Sequence, residues 1–260
     1  MSKGPIRFVF ASDSHGDQAD PEALDALFAF CKDYLRPGDI RIAGGDHFDL
    51  RSLRRGVGND AESAESLRDD IEAGFDFLER FRPDVYLMGN HEHRLNSIIA
   101  STGNAIFRDY CQDTLDAIHR QARRCGAKKI LPYNAGEKGV YRLGPVAMIH
   151  GYAHSVNSTA AQGLHYADRG GALIHGHTHN LAQVNLTKEG GGAAFSAGCL
   201  CLKNPSYAAT RLATARWGSG FAAGWVDGKD WKIWLVHKLG EDRRWIWQTD
   251  LKVYTPKVRR

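Results

Sequence analysis

Short apolar runs alternate along much of the chain with amphipathic segments of helical period. The apolar runs occupy residues 6–11, 39–43, 85–88, 145–149 and 172–174. Runs of this length, bounded by Gly, Pro and Asp, are typical of buried strands. Apolar residues at helical spacing predict helices over residues 21–34, 59–80, 95–126 and 159–169. The third helix is expected to be interrupted at residues 103–104, and Phe107 and Tyr110 are expected in its buried face. Strands that alternate with helices predict an α/β fold.

The pattern changes after about residue 180, where strand-like segments follow one another directly. Glycine turns at residues 189–192 and 227–228 predict antiparallel hairpins. The region also carries Trp225, Trp231, Trp234, Trp245 and Trp247. Such side chains can stack nucleobases, but packing against a sheet is the commoner role and the one we favour. We therefore predict a single domain over residues 1–260, with core motifs in 6–180 and an antiparallel β-rich completion or cap in 181–260.

Composition places the chain among ordinary soluble proteins. Of its 260 residues, 43% are hydrophobic and 25% are charged, and the net charge of +4 is compatible with a phosphate-bearing substrate. The five cysteines form no CxxC pair, which argues against a disulfide framework and against a thiolate zinc site. No signal peptide and no apolar run long enough for a bilayer is apparent. We expect a cytoplasmic protein without a membrane partner.

Acidic, amide and imidazole side chains follow the apolar runs. The five stretches are Asp13-x-His15, Gly45-Asp46-x-x-Asp49, Gly89-Asn90-His91-Glu92, His150 and Gly176-His177-x-His179. Strand periodicity puts Asp13 and His15 on one face. Loops at the carboxyl ends of strands are where α/β folds build their sites. One stretch alone is equally consistent with a polar loop, but together they predict a metal site of oxygen and imidazole ligands, which suits Mn, Fe, Zn or Ni.

Other polar residues in these loops have competing interpretations. Asp49 is better placed to orient a neighbouring imidazole than to bind metal, and we interpret His47 as an exposed loop residue rather than a ligand. The basic run at residues 51–55 is favoured as a solvated face, and its alternative is a rim that attracts phosphate. Arg94 can clamp a phosphate or form a salt bridge, and the two are equally supported.

In this order the five stretches resemble the calcineurin-like metallophosphoesterase superfamily, over roughly residues 6–180. The resemblance implies an αββα sandwich of two mixed β-sheets flanked by helices, with the site at the carboxyl ends of strands. It implies one ion held by Asp13, His15, Asp46 and His179, and a second held by Asp46, Asn90, His150 and His177. Asp46 would bridge the two ions, and His91 would be the acid near the leaving group, oriented by Asp49.

The resemblance predicts a metal-dependent phosphoester hydrolase in which a hydroxide that bridges two divalent ions attacks phosphorus. Mn²⁺ is the preferred ion, with Fe, Zn and Ni as alternatives. We favour a phosphodiesterase acting on a nucleotide or nucleic acid, with Arg94 and Arg51 as candidate substrate contacts. The alternatives are a phosphomonoesterase acting on a small molecule or phosphoprotein and, remotely, a non-catalytic binding protein. The Ser/Thr protein phosphatase branch has Arg where this chain has Leu50, which disfavours that branch. The sequence leaves the oligomeric state open.

Overall fold

The computed structural model describes residues 4–54, 66–202, 216–239, 244–247 and 252–254. After Trp245 it describes the backbone alone. The strands are β1 (Ile6–Ala11), β2 (Ile40–Ala43), β3 (Val85–Leu87), β4 (Lys129–Leu131), β5 (Tyr141–Leu143), β6 (Val146–Ile149), β7 (Ala172–His175), β8 (Leu181–Asn185), β9 (Ala193–Ala197), β10 (Gly220–Asp227), β11 (Asp230–Leu239), β12 (Arg244–Trp247) and β13 (Lys252–Tyr254). The helices are α1 (Pro21–Tyr34), α2 (Leu67–Phe81), α3 (Asn90–Ser101), α4 (Ala105–Arg124) and α5 (Ser158–Tyr166).

The strands form two mixed sheets. An eight-stranded sheet has the order β13-β12-β11-β10-β1-β2-β3-β4, and a five-stranded sheet has the order β5-β6-β7-β9-β8. Strands β1 to β4 run parallel, as do β6, β7 and β9, while β10 is antiparallel to β1. The ends of the two sheets are joined where His150 Nδ1 hydrogen-bonds Gly44 O at 2.9 Å. The loops after β1, β2, β3, β6 and β7 therefore share one edge of the molecule.

Alternating residues of β1 separate two apolar layers. Phe8 and Phe10 pack between the sheets with Met148, Ile174 and Phe195. The opposite face of β1 packs against the layer that contains α1, α2 and α4. Helix α5 covers the outer face of the second sheet. The order helix, sheet, sheet, helix confirms the predicted αββα sandwich.

Local signals placed several elements correctly. Helix α1 begins at Pro21 after the N-cap Asp20, whose carboxylate accepts a hydrogen bond from Glu22 N at 2.9 Å. The predicted break at residues 103–104 separates α3 from α4. Helix α3 begins at Asn90, inside the stretch expected to be a turn. Residues 59–65 of the predicted second helix lie outside the described residues.

The C-terminal region contributes to both sheets. Strands β8 and β9 are antiparallel in the second sheet, and β10 to β13 form antiparallel pairs in the first, which confirms the predicted hairpins. Trp234 and Trp245 are buried at 3% and 0% exposure, so the packing interpretation is confirmed for these two. The side chain of Trp247 lies outside the described ones.

The N-terminal turn of α4 departs from expectation. Phe107 and Tyr110, predicted to be core, are 37% and 47% exposed, and Ile106 beside them is 84% exposed. Burial of the helix begins at Cys111, because only its later turns pack against the other helices. The periodicity of α4 identified which of its residues share an apolar face. It did not identify which turns of that face are packed against other helices. None of the described helices is long and apolar enough to span a membrane.

A close helix contact yields a first prediction. A Cβ at Gly74 in α2 would lie 2.3 Å from the ring of Phe48, which is fully buried. Gly74→Val is expected to lower the free energy of unfolding by about 1–3 kcal/mol through overpacking, since Val and Gly differ little in helix propensity. Urea unfolding measures the change. Gly103→Val is the control, because a Cβ there meets no atom of the described residues within 4 Å. Equal stability of the two variants would contradict the packing argument.

Candidate metal centre

All seven predicted metal ligands come together at the shared edge of the two sheets. In the first group, His15 Nε2 lies 3.1 Å from His179 Nε2, and His179 Nε2 lies 3.3 Å from Asp13 Oδ1. Asp46 joins Asp13 and His15, with ligand atoms within 4.8 Å of one another. These four residues come from the loops after β1, β2 and β7.

The second group shares Asp46 with the first. His150 Nε2 lies 3.2 Å from Asp46 Oδ2 and 3.0 Å from Asn90 Oδ1. His177 completes the group, with ligand atoms of Asp46, His150 and His177 within 4.8 Å. One carboxylate therefore belongs to two neighbouring groups of oxygen and nitrogen atoms.

The spacing of these atoms matches that of ligands on a common ion. Two imidazole nitrogens bound tetrahedrally at about 2.0–2.1 Å from one ion are about 3.3 Å apart. The pairs given above lie 3.0–3.3 Å apart. The donors are carboxylate, amide and imidazole, a set that suits divalent transition metals. Both groups can therefore hold metal ions.

Electrostatics favour a cation at this position. Burial on its own raises the pKa values of Asp13 and Asp46, but neighbouring imidazoles outweigh burial and hold both pKa values below the usual range. For His150, burial lowers the pKa, but the charge of Asp46 and a hydrogen bond to it raise the pKa to about 9. Protons on imidazoles thus balance buried carboxylates, and a divalent ion can take the place of those protons.

The backbone at the centre is strained. Five of the clustered residues have left-handed φ values: Asp13 (59°), His15 (54°), Asp46 (54°), His177 (66°) and His179 (58°). This conformation is uncommon for residues with a Cβ, and each instance costs on the order of 1–3 kcal/mol. Such strain concentrates at functional sites, because it persists only where surrounding contacts require it.

Two glycines allow the loops to touch. Gly45 has φ +97° and approaches His150 Nδ1 so closely that a Cβ would lie 2.7 Å from it. A Cβ at Gly89 would lie 2.0 Å from Asp46 Oδ1. A larger residue at Gly45 would displace His150, and one at Gly89 would displace Asp46, so both glycines are required by close approach at the candidate site.

Glu92 connects the loops that follow β2 and β3 through hydrogen bonds to their backbone, a role that the sequence analysis did not predict. Its fully buried carboxylate accepts hydrogen bonds from the backbone N–H groups of Asp46 (3.0 Å), His47 (2.8 Å), Phe48 (3.3 Å) and Gly89 (2.8 Å), and from the hydroxyl of Tyr86 (3.0 Å). Glu92 is the third residue of α3, and its bond to the N-cap residue Gly89 is half of a capping box. The spacing of three residues between Gly89 and Glu92 was the sequence signal that could have identified the role of Glu92.

Replacing this carboxylate should destabilise the protein. In Glu92→Gln, whichever oxygen becomes an amide NH₂ would face N–H donors, leaving buried donors without an acceptor. The free energy of unfolding in urea is expected to fall by at least about 2 kcal/mol. Tyr86→Phe removes one donor and leaves the carboxylate, so it should cost about 1 kcal/mol. A Glu92→Gln protein as stable as wild type would contradict the role of Glu92.

Asp49 contacts two imidazoles. Its Oδ1 lies 3.0 Å from His15 Nδ1 and 2.7 Å from His91 Nδ1, and its carbonyl oxygen also lies 2.7 Å from His91 Nδ1. Hydrogen bonds from both imidazoles hold the Asp49 pKa low against the opposing effect of burial. Asp70 of α2 accepts hydrogen bonds from the backbone of Asp49 and Leu50 at 2.9 and 2.5 Å. Asp49 is thereby placed to fix the orientation of His15 and His91.

His15, Asp49 and His91 also form a third group that could hold a metal ion.

The two candidate arginines differ in their surroundings. Arg51 is 7% exposed, and its guanidinium forms ion pairs with Asp17 (2.7 Å) and Asp49 (3.2 Å). The favoured interpretation of residues 51–55 as a solvated face is therefore wrong for Arg51, which is buried beside Asp49 rather than exposed on a face or a rim. Its contact with substrate stays a prediction. Arg94 donates to Asp49 O at 2.7 Å and lies 3.0 Å from His91 Nε2. Arg55 lies outside the described residues.

The interpretation of His47 as exposed is wrong. His47 is 0% exposed, its Nδ1 hydrogen-bonds Ser14 Oγ at 2.9 Å, and its ring stacks on Phe77 at 4.1 Å. Burial lowers its pKa to about 3. His47, the residue after Asp46, is therefore a neutral part of the core, because α2 packs over the loop.

Two further residues that the sequence did not single out lie close to the predicted ligands. Cys201 Sγ lies 3.9 Å from His179 Nδ1 and forms a fourth candidate group with His15 and His179. His154 Nε2 lies 3.3 Å from His177 Nε2. The short spacing of Cys199 and Cys201, and the spacing of His154 after His150, were the only sequence signals.

No protein-family model matches the chain, and no curated protein sequence does. Among solved structures, the chain is similar to the crystal structure of the protein of unknown function AQ665 from Aquifex aeolicus. Sequence identity is 12%, and the TM-score is 0.31, with 66% of this chain and 78% of that chain covered. This distant likeness leaves the geometry of the site as the basis for a function.

Proposed function

We propose that this protein is a metal-dependent phosphoester hydrolase, most readily a phosphodiesterase acting on a nucleotide or nucleic acid. The observation that carries the proposal is the sharing of Asp46 between two groups of converging oxygen and nitrogen atoms. A carboxylate shared in this way suits two neighbouring cations, and pairs of cations serve phosphoester hydrolysis in many enzymes. The resemblance of the five motifs to the calcineurin-like metallophosphoesterase superfamily supports the same chemistry.

The seven ligands have assigned roles in this proposal. Asp13, His15, Asp46 and His179 would hold one ion, and Asp46, Asn90, His150 and His177 the other. Bound there, two divalent ions would lower the pKa of a water between them and neutralise phosphate oxygens. Mn²⁺ is our first choice, with Fe, Zn and Ni as alternatives. Asp49 orients His15 through Nδ1, which leaves Nε2 to face the metal position.

His91 would handle the proton of the leaving group. Its backbone N–H donates to Asp46 Oδ1 at 2.9 Å, and its Nε2 lies 3.7 Å from Asp46 Oδ2, beside the ligands. Arg94 faces the same Nε2, so this nitrogen accepts a hydrogen bond and the imidazole is neutral as it stands. Burial also lowers the His91 pKa. A protonated His91 therefore requires Arg94 to turn away, and a substrate phosphate is a suitable new partner for its guanidinium.

A cavity beside these residues favours a diester. It has a volume of about 290 Å³ and is lined by Leu53, Asn90, Arg94, Ser97 and Ile98. Its mixture of apolar walls, an amide and a guanidinium offers room for an organic group attached to the phosphate, next to His91. A monoester has a single organic group and would gain less from such a cavity.

Hydrolysis by the metal-stripped and reconstituted protein tests the proposal. Bis(4-nitrophenyl) phosphate and 4-nitrophenyl phosphate would be compared after loading with Mn²⁺, Ni²⁺, Zn²⁺ or Mg²⁺ in turn. We expect metal-dependent turnover with a higher kcat/KM for the diester. A preference for the monoester would replace the diesterase proposal with a phosphomonoesterase. Two bound ions with no turnover of either ester would overturn the hydrolase and leave a binding protein.

A further inference from the structure

Arg51 connects two loops that carry predicted metal ligands. Its Nη1 and Nη2 each donate to one carboxylate oxygen of Asp17, both at 2.7 Å. Its Nη1 also donates to Asp49 Oδ2 at 3.2 Å. Arg51 and Asp49 follow β2, and Asp17 follows β1, two positions after the predicted ligand His15. One buried guanidinium therefore ties the loop after β1 to the loop after β2.

The two carboxylate oxygens of Asp49 have different partners. Oδ1 lies 3.0 Å from His15 Nδ1 and 2.7 Å from His91 Nδ1, whereas Oδ2 accepts from Arg51. A carboxylate can rotate about its last bond, so the imidazoles alone do not decide which oxygen faces them. The guanidinium is planar and is already held by both oxygens of Asp17, so the direction of the N–H group that reaches Asp49 is fixed. Arg51 thus acts on both imidazoles through Asp49.

We propose that Arg51 is a positioning residue whose guanidinium, anchored by Asp17, fixes the carboxylate of Asp49. One contact then orients both His15, assigned to the first ion, and His91, assigned to the leaving group. The inference rests on the proposed function for the roles of these two histidines.

Two other roles for Arg51 compete with this one. A contact with substrate would require the guanidinium to leave a two-point ion pair, although Arg51 is only 7% exposed. An ion pair that merely stabilises the two loops would leave the imidazoles unaffected. The contact with Asp49 favours the positioning role, because the same carboxylate receives both imidazoles.

The hydrogen bonds of the two imidazoles test the inference without metal or substrate. In proton NMR spectra of protein labelled with ¹⁵N-histidine, Nδ1–H protons bonded to a carboxylate resonate far downfield. We expect Arg51→Met to shift or broaden the signals of both His15 and His91. Arg51→Lys keeps the charge but not the planar fork, so it should shift them less. The control Arg142→Met should leave them unchanged, because Arg142 pairs with two carboxylates that belong to no candidate ligand group among the described residues. Circular dichroism would establish that the variants are folded.

Metal affinity and kinetics separate the three roles of Arg51. In Arg51→Met, calorimetry should show one of two Mn²⁺ ions bound up to about 10-fold more weakly, the lower end of the effect of residues that bond a ligand directly. At saturating Mn²⁺, kcat for bis(4-nitrophenyl) phosphate should fall by about 10-fold while KM stays within about threefold of wild type.

Each competing role predicts a different result. A rise in KM with unchanged kcat would assign Arg51 to substrate contact. A lower stability in urea with unchanged imidazole signals, Mn²⁺ affinity and kcat would leave only a structural ion pair. Either result would overturn the inference. If wild type hydrolyses no ester, the proposed hydrolase fails, and the imidazole signals still decide the role of Arg51.

Discussion

Asp46→Asn is expected to abolish binding of both metal ions under conditions that saturate wild type. Asp46 is the residue common to the two ligand groups, and Asn keeps its shape while removing its charge. Its Oδ2 faces His150 Nε2 at 3.2 Å, a position where an amide NH₂ cannot ligate a cation. Mutation of residues that hydrogen-bond metal ligands lowers metal affinity by about 10–100-fold. Loss of a ligand shared by two ions should therefore lower the affinity for each ion by at least about 100-fold. Metal content and competition with a chelating dye measure the change.

A matched carboxylate serves as the control for Asp46. Asp109 on α4 is exposed and pairs with its neighbour Arg108, so Asp109→Asn removes one charge at a distance from the site. This control should bind two ions as wild type does. Retention of both ions by Asp46→Asn would contradict the shared role, and loss of one ion alone would assign Asp46 to a single group.

His91→Asn is expected to retain both ions and to lower kcat by about 10² to 10⁴, the contribution of a positioned acid. The imidazole is held by Asp49 and faces the site through Nε2, beside Arg94. The loss should be larger for an ester with a poor alcohol leaving group than for a 4-nitrophenyl ester, because the nitrophenolate needs little protonation. Metal content and kcat for the two esters are the measurements.

The neighbouring His93 gives a control of the same residue type. Its ring packs near Tyr133, at a centroid distance of 5.6 Å, and it belongs to none of the candidate ligand groups among the described residues. His93→Asn should leave both metal content and the ratio of the two rates near wild type. Equal metal loss in the His91 and Asp46 variants would refute the division between acid and ligands.

Much of the fold could be predicted because its signals are local. The apolar runs are too short for helices, and Asp20-Pro21 places the start of α1. Periodicity reports which residues of one element share a face, but it does not report what covers that face. Phe107 was therefore misplaced in the core, and His47 was misplaced at the surface.

The sequence predicted the candidate metal ligands, but it did not predict the buried residues that hold their loops in place. Ligand types are recognisable from their chemistry at strand ends. The partners of Glu92 at Asp46 and His47 lie 46 and 45 positions away, and Arg51 meets Asp17 across 34 positions. A buried acid and a surface acid look the same in one sequence, because burial depends on residues distant in the chain.

By itself the sequence determined the alternation of strands and helices and the kind of atom at the end of each strand. Only the tertiary structure decided that His150 and His177, from one sheet, face Asp46, from the other, and that five of the clustered residues adopt left-handed backbone. The physical reason is that hydrophobic periodicity acts within one element. The meeting of ligands requires two sheets to pack face to face, and the energy of that packing maintains a strained backbone that no local preference would select.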